Sequence, residues 1–278
     1  MKLLACYALT HDRPLRISAL SSLVRCPGFL VSRTADDHGG AAAQNGSAVG
    51  RVIQLAHEGW VFDEAIRQTT TEAATQWPLA NMDVVTQWAA SYCSDPRNGA
   101  GSEYGEVMPK SCELEVRLML PSDDDDPTRQ PLHFKGHVDQ IRRDRSGQLR
   151  IWDVKSGRGS GEELLAEYAW QLAVYAAAAT ATLKQLVLPG GIIRLRAYDR
   201  GGPHAPGVFW EAPWTPEDVA TMIATIAHEI GVIRSGKIPL RPGLHCAWCP
   251  ASPFWSCHQR VPDLPTVGQI GNPLSVLK

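Results

Sequence analysis

Between residues 132 and 183 the chain runs strand, turn, strand, long helix, and this succession constrains its fold more than any other stretch. Segments 132–142 and 149–155 read as strands, and Asp144-Arg145-Ser146-Gly147 between them carries residues that reverse a chain. The helix over 162–183 must lie back across such a hairpin, because each hides its apolar face only against another element. Further strands are read over 191–199 and 208–212, and a helix over 215–235 with Thr215 as cap and Pro216, Glu217 and Asp218 in its first turn. Ahead of the hairpin, residues 113–120 place an apolar side chain at every even position, the pattern of a half-buried strand. Helices are read over 18–30, with Leu20, Leu23 and Val24 as the apolar stripe, and over 48–66 and 81–93; 36–46 reads as an exposed loop. Helices, then a meander of strands, then a helix and more strands describe an α/β fold around one mixed sheet.

Composition narrows the function. The 278 residues are long enough for a substantial core, and 44% apolar with 20% charged residues is ordinary for a globular chain. No run approaches the ~18 apolar residues of a membrane span. Residues 1–8 begin like a leader, but His11, Asp12 and Arg13 cut the apolar run short, so the segment reads as structural. A net charge of −2 provides no global field for nucleic acid, and any such contact needs a local patch. Seven cysteines without a disulfide-like spacing point to a reducing, cytoplasmic setting in which clustered thiols bind metal. Four consecutive aspartates, Asp123 to Asp126, stand before Pro127 and read as a solvated hairpin tip. Hard cations need spaced, converging ligands rather than a run of charge.

The hairpin carries chemistry. Period-two geometry points Asp153 and Lys155 to one face, and Asp139 sits on the neighbouring strand, where partners approach within about 5 Å. Two carboxylates so close repel each other unless a cation intervenes, and Mg²⁺ or Mn²⁺ suits oxygen ligands. Such an ion would stabilise charge developing on a phosphodiester and acidify a water that Lys155 could orient or deprotonate, its own pKa lowered by the ion. Gln171 and Tyr175 lie one turn apart on the long helix, with Tyr168 on the same stripe. A salt bridge in a hairpin beside an aromatic core stripe is the plainer reading of the same residues.

Gly136-x-x-Asp139, Asp153-x-Lys155 and Gln171-x-x-x-Tyr175, in this order, resemble the PD-(D/E)XK nuclease superfamily, specifically its RecB-like exonuclease branch. That branch includes the nuclease domains of RecB and AddB and CRISPR-associated exonucleases, and the resemblance runs from about residue 18 to 257. It implies one restriction-endonuclease-like domain over 1–278, its central mixed sheet flanked by helices. The helical N-terminal part would be 15–95, the nuclease core 112–212, the C-terminal helix and cysteine segment 215–260, and the tail 261–278. Asp139, Asp153 and the Val154 carbonyl would bind Mg²⁺ or Mn²⁺, Lys155 would serve the attacking water, and Gln171 and Tyr175 would support the site and the DNA. The partners implied are DNA with free or single-stranded ends and proteins of recombination, repair or CRISPR type, with no membrane. One position departs: Gly50 stands where the branch places a histidine ligand in a Gly-x-x-x-His pattern starting at Gly46. His57, about 10 Å further along the helix, reads as structural. Glu113 and Glu115 share the polar face of their strand; a solvated edge is the plainer reading, and a supporting or third acidic role for Glu115 is the alternative.

Cys246, Cys249 and Cys257 form a three-thiolate set near the C-terminus, and Cys26, before Pro27, is the best fourth ligand. By coordination chemistry four thiolates suit zinc or an iron–sulfur cluster. Members of the same branch hold a 4Fe–4S cluster with this arrangement, so the resemblance implies that cofactor. It would join the N- and C-terminal segments across more than 200 residues. Cys6, Cys93 and Cys112 read as small core residues. For DNA, the candidates are Arg142, Arg143, Arg145 and Arg150 around the hairpin, Arg158 in the Gly-rich loop 156–161, and Arg194, Arg196 and Arg200. Trp248, Phe254 and Trp255 could stack on bases or pack around the cluster. Two other readings stay open: a nuclease-like subunit that binds DNA or a partner without cutting, and a zinc-stapled structural module.

Overall fold

The computed structural model describes residues 14–26, 40–99, 101–120 and 131–234. Its central strand is β6 (Leu149–Lys155), antiparallel to β5 (Gln140–Arg143) on one side and parallel to β7 (Val187–Arg194) on the other. The short strands β2 (Glu106–Val107) and β8 (Phe209–Glu211) complete a five-stranded mixed sheet in the order β2-β5-β6-β7-β8. A second, three-stranded sheet has the order β1-β4-β3, formed by β1 (Leu15–Arg16), β4 (Leu132–Val138) and β3 (Leu114–Leu120). β3 and β4 pair antiparallel from Leu114–Val138 to Leu120–Leu132.

The single strand expected over 132–142 is therefore two. The chain bends at Asp139 and passes from the small sheet into the large one. This bend also replaces the one mixed sheet of the sequence reading with two.

Seven helices flank the sheets among the described residues: α1 (Leu20–Arg25), α2 (Ala41–His57), α3 (Phe62–Gln76), α4 (Met82–Ser94), α5 (Gly161–Leu183), the single turn α6 (Tyr198–Gly201) and α7 (Pro216–Arg234). The helix expected over 48–66 starts earlier, inside the supposed loop, and stops at His57. Gly59 at φ +92° supplies the left-handed residue that ends it. α3 follows with Asp63 and Glu64 in its first turn, where carboxylates favour the helix dipole. α4 starts at Asn81, whose side chain accepts from the backbone N–H of Asp83 and Val84. α5 starts with a reciprocal cap between Ser160 and Glu163. The strand read over 191–199 ends at Arg194, and the chain turns into a 3₁₀ turn and α6.

Alternation along the central strands builds the layers. Leu149 and Ile151 of β6 and Ile192 of β7 face a core shared with Leu172 and Val174 of α5, Ile226 and Ile230 of α7, and Leu20 and Leu23 of α1. Trp152 and Ile193 face the opposite core, with Val49 and Val52 of α2 and Val85 and Trp88 of α4. A helix as short as α1 is not stable alone. Burying Leu20 and Leu23 completely, at roughly 1.5–3 kcal/mol each, holds it in place. No helix among the described residues is long and apolar enough to cross a membrane.

Candidate active site

Because Leu149 and Ile151 face α5, period two directs Asp153 and Lys155 toward α5 as well. Gln171 of α5 donates from Nε2 to Asp153 Oδ1 at 2.9 Å, and the Lys155 ammonium lies 4.2 Å from the Tyr168 ring centroid. Lys155 Nζ stands 2.7 Å from Asp153 Oδ2. Oδ2, in a residue only 2% exposed, thus has the Lys155 ammonium as its one close partner. Gln171 Oε1 is buried without a partner.

Asp139 arrives from the bend between the sheets. Where β5 ends its pairing with β6, the Asp139 side chain continues the ladder: Oδ2 accepts the Val154 backbone N–H at 2.6 Å. Loss of water and then the nearby Asp153 charge hold the Asp139 carboxyl well above its ordinary 3.8. Burial pulls the Lys155 ammonium down, but Asp153, Tyr168 and Asp139 together outweigh it and raise its pKa. The depression expected for a lysine base would have to overcome those carboxylates. Tyr175 is 4% exposed, and burial followed by Asp139 and Asp153 keeps its hydroxyl protonated. Gly136 makes room for it: a Cβ there would come within 2.8 Å of the Tyr175 ring and 3.0 Å of its hydroxyl. The expected residues Asp139, Asp153, Lys155, Gln171 and Tyr175 are thus brought together around the open end of β6.

A cleft of about 440 Å³ opens onto Asp139 and Lys155, lined among others by Glu113, Val154, Gly157 and Tyr168, with α2 as its far wall at Gly46 and Gly50; Asp153, Gln171 and Tyr175 lie behind this lining. Gly46 lets α2 approach the loop after β6, where a Cβ would meet Ser156 Oγ at 2.5 Å and that hydroxyl donates to the Ala42 carbonyl.

The acid in this cleft is Glu113, not Glu115. Glu115 lies on the exposed side of β3, where hydrogen bonds from Lys135 and Arg117 hold its carboxyl down at about 2. Glu113 precedes β3 with φ +56°, outside the strand's alternation, so strand periodicity gives no sign of where it points. As a residue it remains exposed, yet its carboxyl stands in the cleft, where loss of water raises its pKa.

Other expected residues lie elsewhere. Arg142 is completely buried and donates to Gln140, Asn98, Tyr92 and the Arg97 carbonyl, so it is no surface contact for DNA. Arg150 pairs with Asp144, and Arg196 donates to the Ser156 carbonyl at the cleft edge. His57 meets the Tyr92 hydroxyl, and burial followed by the Arg142 charge lowers its pKa to about 4, in keeping with a structural residue. Cys26 is 5% exposed beyond α1; Cys112 is half-buried, and Cys93 is exposed rather than a core residue. Cys6, the aspartate run 123–126, the cysteines at 246, 249 and 257 and the aromatics at 248, 254 and 255 lie outside the described residues, whereas Arg158 is in the described loop after β6.

The donor set fits a hard divalent cation: the carboxylate oxygens of Asp139 and Asp153, with the buried and unpartnered Gln171 Oε1 nearby, beside the backbone of Val154. Among the described residues no three His, Cys, Asp or Glu side chains already converge on one point. Mg²⁺ needs no such cage, since one or two carboxylates with water and substrate phosphate complete its shell.

No curated protein matches the chain. A family model described as the PD-(D/E)XK nuclease superfamily matches residues 17–254, which includes the whole five-stranded sheet, β3 and β4 of the small sheet and every residue that lines this cleft. With that match over most of its length, the chain belongs to the PD-(D/E)XK nuclease superfamily.

Proposed function

We propose that the protein is a Mg²⁺- or Mn²⁺-dependent DNA exonuclease of the RecB-like kind, one catalytic domain acting on single-stranded ends in recombination, repair or end processing. The observation that supports this reading is the joining of Asp139 to the Val154 backbone and of Asp153 to Lys155 and Gln171, with Asp139, Val154 and Lys155 lining one cleft. A divalent ion bound there supplies positive charge to a phosphoryl oxygen and lowers the pKa of water. Lys155, held protonated by its carboxylate neighbours, orients the attacking water or a phosphate oxygen by donating to it. Gln171 fixes the Asp153 carboxylate, and Tyr175, kept protonated, offers a donor beside Asp139. A second cleft, sharing Ser47 and Glu113 with the first and lined by Arg51, Gln54, Trp77 and His137, extends the route for a strand.

Cys26, Cys246, Cys249 and Cys257 would hold a 4Fe–4S cluster; the burial of Cys26 next to the packed helix α1 supports a structural ligand there.

End-labelled single-stranded DNA and Mn²⁺, with the parent chain and Lys155→Ala in parallel, test the activity. The expected result is cleavage by the parent and a loss of at least about 10²-fold in the variant, the scale of one lost charge-stabilising donor. Full activity in Lys155→Ala overturns the assignment. Gly50, in place of a family histidine, favours one second reading, a nuclease-like subunit that binds DNA without cutting. That reading predicts DNA affinity with no metal-dependent product from either protein.

A further inference from the structure

Each acid around the cleft has a partner except one. Asp139 accepts from Val154, Asp153 meets Gln171 and Lys155, Glu115 pairs with Lys135 and Arg117, and Glu72 pairs with Arg51. Glu113 makes no hydrogen bond or ion pair among the described residues, although it lines both clefts. Its backbone is left-handed, at φ +56°, a conformation that non-glycine residues adopt at a cost and that gathers at functional sites.

The wall facing it is equally specific. A Cβ built on Gly50 would find Glu113 Oε1 at 3.9 Å and no other atom within 4 Å, so α2 passes at side-chain distance with open space before the carboxyl. Behind Lys155, Asp153 Oδ2 has only that ammonium as a partner and Gln171 Oε1 is buried without a hydrogen-bond partner. Asp139, Asp153 and Glu113 all lie within the influence of the Lys155 ammonium; of the other groups acting on Glu113, Arg51 is already paired with Glu72 and a neutral His137 adds no charge. When all three acids ionise, two negative charges remain, which one divalent ion offsets.

We propose that Glu113 is a third carboxylate of the divalent-cation site, reaching it across the space that Gly50 leaves open; the proposal rests on the metal-dependent reading above. The unusual backbone at Glu113 turns the side chain off the strand's alternation and into the cleft. Gly50 keeps the opposite wall free of any side chain that would compete for the same place. A glutamate entering from outside the strand thus does for this chain what a ligand from α2 would do.

Binding of Mn²⁺ to the full chain, followed through the electron paramagnetic resonance signal of the free ion, tests this without any cleavage. Glu113→Gln preserves shape and removes the charge; it should bind Mn²⁺ about tenfold or more weakly, with an unchanged circular dichroism spectrum. Glu113→Asp keeps the charge but withdraws it by one methylene, and should lose affinity too. Adding Gly50→His to Glu113→Gln should restore binding, because an imidazole from the opposite wall can supply the missing ligand. Parent-like affinity in Glu113→Gln, with binding lost in Asp139→Asn, overturns the role of Glu113 and leaves the nuclease reading standing. Parent-like affinity in Glu113→Asp reduces Glu113 to a background charge and also overturns it. Mn²⁺ bound no better by the parent than by Asp139→Asn overturns both readings together.

Discussion

At the scale of single residues, the protonation of Asp139 ties the site to pH. Its folded pKa lies well above the ordinary 3.8, so the folded chain holds this proton more readily than the unfolded one. The resulting stability is fully present below 3.8 and is lost as pH rises through the raised value. A cation binds the ionised form, so Mn²⁺ should release protons between those two limits and raise Tm more at about pH 8 than at about pH 5. Calorimetry in buffers of different ionisation enthalpy measures that release, and no buffer dependence would contradict it. Arg142 makes the opposite case, a charge that looks in sequence like a DNA contact and is instead an internal strut. Arg142→Leu leaves the Gln140 and Asn98 side-chain oxygens without their donor, at roughly 1–3 kcal/mol per group. Urea unfolding should therefore show a loss of about 2–5 kcal/mol, while DNA affinity measured on the folded variant stays at the parent value. Nothing in the local sequence separates Arg142 from Arg143, since burial is decided by α4 and the chain around Asn98 folding over it.

At the scale of elements, the site depends on close approach. Gly136 brings β4 against Tyr175, and a methyl group there would also meet Ile17 at 3.2 Å. Gly136→Ala should cost about 1–3 kcal/mol of stability, read as a lower Tm, because neither a ring in a packed layer nor its neighbouring strand can easily withdraw. An unchanged Tm would mean that the two layers have slack the structure does not show. The strands β3 and β6 and the helices α4, α5 and α7 were legible, because alternation and caps are local signals: even-numbered apolar residues in β3, Asn81, Ser160 with Glu163, and Thr215. α3 was missed, and α2 was read too far, because Gly59 interrupts a continuous run of helix-compatible residues. The bend at Asp139 was also missed. A strand crossing between two sheets keeps its strand composition, and only its partners reveal the change.

For the whole molecule, the sheet crossing places Asp139 over β6, and α5 and α2 close the site from either side. The proposed cluster would add a tie from Cys26 to the C-terminal cysteines. Chain purified without oxygen should contain iron and acid-labile sulfide, and Cys26→Ala should lose both and melt earlier; zinc in their place would make the tie a structural zinc site. By itself the sequence determined the α/β class and offered Asp139, Asp153, Lys155, Gln171 and Tyr175 as candidates, because strand period puts Asp153 and Lys155 on one face and helix period does the same for Gln171 and Tyr175, while the motif order brings in Asp139. Tertiary structure alone decided that Arg142 lies inside, that Glu113 rather than Glu115 enters the cleft, and that Gly50 stands opposite it. Each of those outcomes depends on contacts between segments far apart in the chain or on a backbone turn outside any regular element, and neither leaves a repeating signal in sequence.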